Sequence, residues 1–599
     1  MKRIALFSIL FVLVQTFATA QVNTYQQKCA PSLQEQFKNG GKADMLVIFK
    51  EQANVQAAQM LPTKLAKAEF VYRQLEVTLA RTQARANKLL QAYGFNANSL
   101  LIVNAIAVDQ ATGELARQLA ELPEVAWMGA DPWVKFDPGF QTESTASPAQ
   151  DRMQVEWGVA KISAPEVWAL GYTGQGITVG GADTGYDWTH PAIQPHYRGW
   201  DAGTNSGNHN FNWHDAIKTV SPQYLDSLGN PIGANPCGLS SQVPCDDSSH
   251  GTHTMGTMTG DDGMGNMIGV APGSKWVGCR NMDRNWGRPS TYLGCFEWFL
   301  APTELDGQNP DPAKAPHVIN NSWYCSYEEG CTDSLVNDLL RIAIVNLKAS
   351  GVVVVVSNGN SGPWCGTTST VPPQFEESFS VGATRSDDAI ANFSSRGPVL
   401  VDGSNRMKPN VSAPGQDVRS STLNNNYSNF SGTSMAGPHV AGLVALMLSA
   451  RPELAGHVED IENIIEQTAI YFGDSINCGP SIGTAQPNHS FGWGRIDALG
   501  AVNQALLWQA PVSTQAPIEA SVSVYPNPVQ ETAVFDLQNF GGKTLVEIVN
   551  MEGKTMFSQT IVPGVRQLYK VNLSYLSSGI YAYKISCGVT VLSGKLIKS

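Results

Sequence analysis

The sequence predicts an α/β protein. Its main unit is a parallel sheet between helices, preceded by a small α+β unit and followed by a small antiparallel β-sandwich. Between about residues 155 and 508, apolar runs such as GITVGGAD, HVINNS, GVVVVVS and SFSVGA are separated by helical stretches such as SLVNDLLRIAIVNLKAS. Strands apolar at every position are buried on both faces, and helices supply that cover. From about 40 to 136 the pattern mixes strands (ADMLVIFK, SLLIVNAIAV) with amphipathic helical segments, Leu65 to Ala92 and ATGELARQLAEL. From about 520 to 599 only short alternating runs remain, among them SVSVYPNP, TAVFDL and IYAYKIS, with turn residues between them. Polar, Pro-containing stretches, DPGFQTESTASPAQD and QAPVSTQAPIEA, separate the three units and read as exposed linkers.

The chain carries 599 residues, 42% of them hydrophobic, enough for several packed cores. A net charge of −12 without any basic cluster argues against a nucleic acid or an anionic membrane as partner. The first twenty residues have the layout of an export leader. Lys2 and Arg3 are followed by the apolar stretch Ile4 to Val14 and then by small residues at Ala18-Thr19-Ala20. That apolar stretch is too short to span a bilayer easily, and no other segment reads as a membrane span.

Export makes the cysteines disulfide candidates. Eight of the ten lie between 237 and 478, and eight cysteines allow 105 pairings. Short loops favour Cys237 with Cys245, Cys279 with Cys295 and Cys325 with Cys331, which leaves Cys365 with Cys478. No CxxC or HxxxH spacing supports metal binding instead.

Chemistry is concentrated in three short blocks. GTSMAGPHVAGLVALM sets Ser434 at a Gly-rich bend before a helical apolar pattern. A serine there lies among free backbone N–H groups at the positive end of the helix dipole, which a developing oxyanion requires. Taken alone, such a serine more often only caps a helix. A nucleophile also needs a base, and the base an orienting carboxylate. GITVGGADTG ends a buried strand at Asp183, and SSHGTHTMGT begins a small-residue helix at His250. Strand ends of a parallel sheet are where such fold classes bind ligands, so the three can converge. His253 and His439 lie close to two of them in sequence and raise the same question.

With these blocks the chain resembles the subtilisin-like serine proteases over about 350 residues. The segments WGVAKISAPEVWALGYTGQGITV, IANFSSRGP, KPNVSAPG and GWGRIDALGAV, together with VINNSW, are most similar to the bacillopeptidase F-like branch. The resemblance implies Asp183, His250 and Ser434 as the catalytic triad and Asn360 as oxyanion donor, with Asn358 as the rival two positions away. It implies that Asn321, Ser322 and Trp323 bind substrate, on a segment that pairs with substrate backbone, and that His253 and His439 occupy structural motif positions as packed histidines. It requires no cofactor for the chemistry and leaves room for a structural calcium ion that Asp246-Asp247 and Asp261-Asp262 help to bind, pairs that otherwise read as solvated turns. Thr254-Met255 replace the usual Val-Ala, and Tyr324-Cys325 follow VINNSW where a glycine is common. Stretches 203–247 and 305–334 look like insertions that form disulfide-stapled loops.

By the same resemblance residues 40–136 are an inhibitory propeptide whose tail, LPEVAWMGADPWVKF, fills the cleft, with cleavage at about 137–154. Residues 520–599 resemble the sorting domain of the type IX secretion system. The expectation is a secreted, self-processing serine endopeptidase acting on proteins or peptides, located outside the cell or on its outer surface. Its partners would be its own propeptide and an outer-membrane secretion machinery. Two rivals are a silent subtilase-fold adhesin and an acyl-transferring peptide ligase.

Overall fold

The computed structural model describes residues 24–136, 140–141, 154–325, 331, 333–478, 483–510, 521–538, 540, 544–561, 566–587 and 590–599. The export leader and most of both linkers lie outside these residues.

The central unit is a seven-stranded sheet. Its spatial order is Trp213–Asp215, Lys275–Arg280, Thr178–Asp183, Val318–Asn321, Val353–Ser357, Phe379–Thr384 and Val411–Pro414. Every neighbouring pair is parallel. Val353–Ser357 is buried along its whole length, as a run of four valines in a doubly covered strand must be. The expected α/β class is what the chain adopts. Helices His250–Thr259 and Thr433–Ala450 pack against each other and against the sheet. The second helix is long and apolar enough, by length and composition, to cross a membrane, contrary to the sequence reading. Its side chains from Thr433 to Leu448 are nevertheless buried among the core, as befits a central helix.

The N-terminal unit is a four-stranded antiparallel sheet ordered Ala97–Leu100, Ala105–Thr112, Lys42–Phe49, Val125–Ala130. It begins earlier than residue 40. Helix Pro31–Gln36 adds Leu33 to the same core, and Ala30 N donates to Met128 O. Strand Lys42–Phe49 shows why the unit does not stand apart. Met45, Val47 and Phe49 fill its own core, while Leu46 and Ile48 join a cluster with Phe296, Leu339 and Leu347 of the central unit. Alternate side chains of a strand face opposite sides, so the sheet has two apolar faces and the second is buried on its neighbour.

The C-terminal unit consists of two antiparallel sheets. They enclose a core of their own that includes Phe535, Val546, Ile548, Ile585 and Leu596. All four expected cysteine pairs are bonded: Cys237–Cys245, Cys279–Cys295, Cys325–Cys331 and Cys365–Cys478.

Candidate active site

Asp183 is the last residue of a central strand, and His250 is the first of a helix that packs on it. The preceding Ser249 is left-handed (φ 72°), a conformation a serine holds only when its surroundings fix it. Gly251 is obligatory, because a Cβ there would meet the carbonyl oxygen of Gly185 at 2.0 Å. These constraints bring His250 Nδ1 to 2.7 Å from Asp183 Oδ1, with both side chains buried. Asp183 Oδ1 also accepts the Thr184 amide, and Thr254 Oγ1 reaches Asp183 Oδ2 at 3.3 Å and the Gly251 carbonyl at 2.9 Å. Position 254, where the sequence departs from the common valine, therefore adds a hydroxyl to the carboxylate's surroundings. The other ring nitrogen, His250 Nε2, is buried without a protein partner.

Ser434 lies in the first turn of helix Thr433–Ala450, where backbone N–H groups have no partner within the helix. Pro438 sits four residues on and has no N–H to give the Ser434 carbonyl. Ser322 Oγ takes its place, donating to Ser434 O at 2.7 Å, while Ser434 Oγ donates to Ser322 O at 3.2 Å. Thr433 is held similarly: its amide and hydroxyl both donate to Asn360 Oδ1 at 2.9 Å. Asn360 Nδ2 is left buried with no acceptor. Asn358, the rival, spends its Nδ2 on Thr368 Oγ1 and the Ser395 carbonyl.

The residues read as substrate-binding divide. Strand Val318–Asn321 is hydrogen-bonded on both edges, so it cannot accept another strand. Asn321 Nδ2 donates to Val355 O, and Trp323 stacks on Tyr292 at 4.0 Å, both fully buried. Both side chains therefore fill the core, which leaves only the backbone after residue 321 for a substrate contact. Ser322 does reach the site, through Ser434.

A different edge carries a peptide. Val134–Lys135 pairs antiparallel with Trp286–Gly287, and the Phe136 amide donates to Asn285 O at 2.7 Å. The Phe136 ring meets the His250 imidazole edge-on at 4.9 Å. Further along, Phe140–Gln141 pairs antiparallel with Ser431–Phe430, just before Ser434. Residues 137–139, which contain the start of the expected cleavage region, lie outside the described residues.

His253 and His439 are structural, as their sequence context suggests. His253 is buried, stacks flat on Phe430 at 4.4 Å and shares Nε2 between the Val418 and Ser428 carbonyls. Burial pushes its pKa down to about 3. His439 Nδ1 faces the Met435 carbonyl, and burial lowers it to about 4.

The acidic pairs weighed for calcium are engaged elsewhere. Asp246 accepts from Thr184, Ser248, Ser249 and Thr252. Asp247 accepts from Arg280 and the Arg284 amide. Asp262 accepts from Met264, Asn266 and Tyr427, and Asp261 from the Gly263 amide. A calcium ion takes six to eight oxygen ligands, and each of these carboxylates is held by N–H or O–H donors of its own surroundings. Among the described residues no cluster of three or more His, Cys, Asp or Glu side chains is arranged to hold a metal.

A buried acid in contact with a histidine, and a serine in the first turn of a helix packed on the same parallel sheet, are the residue types that serine hydrolases use. Comparison with known proteins makes this specific. The subtilase family model matches residues 174–494, and a secretion system C-terminal sorting domain matches 523–599. Bacillopeptidase F of Bacillus subtilis (strain 168) is 33% identical over 505 residues, 80% of this chain and 32% of that protein. Subtilisin E of the same strain is 30% identical over 55% of this chain and 69% of its own. The subtilisin of Bacillus pumilus is 30% identical over 55% of this chain and 96% of its own. This chain thus spans about a third of the length of bacillopeptidase F. The chain belongs to the subtilase family of serine endopeptidases. Its last unit is a type IX sorting domain, so the protein is extracellular or held at the cell surface.

Proposed function

We propose that the protein is a self-processing endopeptidase that hydrolyses peptide bonds through an acyl-enzyme on Ser434. The observation that carries this is the buried 2.7 Å contact between His250 Nδ1 and Asp183, which leaves Nε2 free to act as base. Rotation of Ser434 Oγ away from the Ser322 carbonyl frees its proton for His250 Nε2 as the oxygen attacks a peptide carbonyl. Asp183 fixes the imidazole tautomer and stabilises the imidazolium. Negative charge on the attacked oxygen is met by Asn360 Nδ2, whose Oδ1 is anchored on Thr433, and by the Ser434 amide. The imidazolium then protonates the leaving amine, and water attacks the acyl-enzyme by the reverse path. These steps use no cofactor.

The same reading assigns residues 1–20 to the export leader, 40–136 to an inhibitory propeptide, 155–508 to the catalytic domain and 520–599 to the sorting domain. Support for inhibition comes from Val134–Lys135 on Trp286–Gly287 and from Phe136 against His250, which together cover the base. Processing falls within 137–154 and releases the N-terminal domain; the outer-membrane secretion machinery takes the C-terminal one. Protein or peptide substrates then enter along the vacated edge.

The test follows the wild type and Ser434→Ala by precursor size, casein hydrolysis and labelling with a fluorophosphonate. Wild type sheds the N-terminal domain, labels and cuts casein, whereas the variant does none of these. Two proteins that both stay full length and unlabelled would make this a silent binding protein instead. Transfer of the acyl group to added amines in preference to water would make it a ligase.

A further inference from the structure

Arg288 is 6% exposed and follows directly on the edge strand Trp286–Gly287. Three carboxylates converge on its guanidinium: Asp44 at 3.2 Å, Asp109 at 3.0 Å and Asp131 at 3.5 Å. All three belong to the N-terminal domain. Among the described residues the central unit contributes to the guanidinium only a weak contact to Thr219 Oγ1 at 3.4 Å, and Nε is buried with no partner. The Trp133 ring lies 5.2 Å from the guanidinium carbon. Asp131 is gripped twice over, because the Ser290 amide and hydroxyl both donate to it at the start of helix Pro289–Leu300.

Asp131 and Trp133 are part of the run Asp131-Pro132-Trp133-Val134-Lys135-Phe136 that enters the cleft. This run holds a carboxylate on Arg288 and Ser290 while its next residues pair with the edge strand. When the N-terminal domain departs, Arg288 loses all three of its anions at once. Water then reaches the guanidinium, whose planar fork beside the edge strand matches a carboxylate, and a substrate lying along the same edge can supply one. We infer that in the processed enzyme Arg288 and Ser290 form an extended subsite for an acidic side chain, five residues upstream of the one that contacts His250. The inference rests on the reading of the N-terminal domain as a removable propeptide. It assigns the enzyme a preference for protein substrates carrying Asp or Glu well ahead of the scissile bond.

The experiment uses enzyme matured from the full-length chain and two peptides spanning residues 129–145, one natural and one with Asp131→Asn. Whether cut or merely bound, each peptide competes with casein, so the apparent inhibition constant reads its affinity. At low salt the natural peptide should compete about tenfold more strongly, as expected for a charge-assisted hydrogen bond that is partly hydrated. The ratio should fall towards one as salt is raised to about 0.5 M, because partly exposed charges are screened. In Arg288→Gln it should be close to one at every salt concentration. Equal inhibition by both peptides in the wild type at low salt would overturn the inference, with or without the variant. The wild-type pair and its salt series decide the matter even where Arg288→Gln fails to mature. Failure to cut casein at all would instead strike the protease reading.

Discussion

His250 Nδ1 and Asp183 Oδ1 lie 2.7 Å apart with neither side chain exposed to solvent. In such a setting the carboxylate decides which ring nitrogen carries the proton. Asp183→Asn offers an amide where a carboxylate stood and reverses that choice. Turnover on casein should drop by about 10⁴ while the fold persists, read by active-site titration alongside circular dichroism of a precursor processed in trans. Thr254→Val should cost less than about tenfold in turnover, because Thr184 still donates to the carboxylate and the 3.3 Å contact is weak.

Asn360 and Asn358 separate two roles by where their amide nitrogens go. Asn360 keeps Nδ2 without an acceptor while its Oδ1 holds Thr433, so Asn360→Ala should lower kcat by about 10²–10³ and, by stranding the two Thr433 donors, also cost about 1–3 kcal/mol of stability. Asn358 donates to Thr368 and Ser395 within the core, so Asn358→Ala strands those acceptors. It should cost about 1–3 kcal/mol of stability and much less in kcat. Kinetics and thermal melts on the two variants check both halves, and the reverse pattern in kcat would exchange the assignments.

The parts of the site legible in the sequence were those where residue type and its immediate neighbours carry the chemistry. Asp183 ends an apolar strand, while His250 and Ser434 lie in the first turns of helices of small residues, so the local pattern singles each of them out. The cysteine pairs were legible because three of the four loops are short. What stayed hidden depends on partners far along the chain. Trp323 adjoins residues of the cleft in sequence, yet the strand end turns it onto Tyr292, and nothing in VINNSW encodes that turn. Ser322 fills the gap that Pro438 leaves above Ser434, through a hydrogen bond between positions 112 residues apart. Arg288 looks like any surface arginine until the fold brings Asp44, Asp109 and Asp131 to it.

The pH profile should show one histidine-like limb. Burial lowers nine of the ten histidines: His190, His196, His209, His214, His253, His317, His439, His457 and His489. Burial works against the charged form of each of these nine across the window between about pH 5 and 8 in which histidines ordinarily titrate. A base must be unprotonated, and kcat/KM should therefore rise with pH across that window. A flat profile over the same range would remove His250 from the role.

Release of the N-terminal domain should itself depend on pH through Glu297. Its carboxylate accepts from the backbone amides of Leu101 and Ile102 across the interface. Burial beneath the docked domain raises its pKa to about 7, against the two amides, which pull it down. Once the domain leaves, water returns and the group reverts towards an ordinary carboxyl near 4.3. The docked state thus holds a proton that the free state gives up, and docking is favoured as pH falls from about 7 towards 4.3. Rising pH through 7 should weaken the complex by the same linkage. Glu297→Gln keeps a hydrogen-bond acceptor but cannot titrate, so its complex should lose this dependence. The measurement is the inhibition constant of separately added N-terminal domain against matured enzyme at pH 5.5, 7 and 8.5. Weaker inhibition at high pH in wild type, flattened in Glu297→Gln, is the expected result; equal slopes in both would assign the pH dependence to other groups.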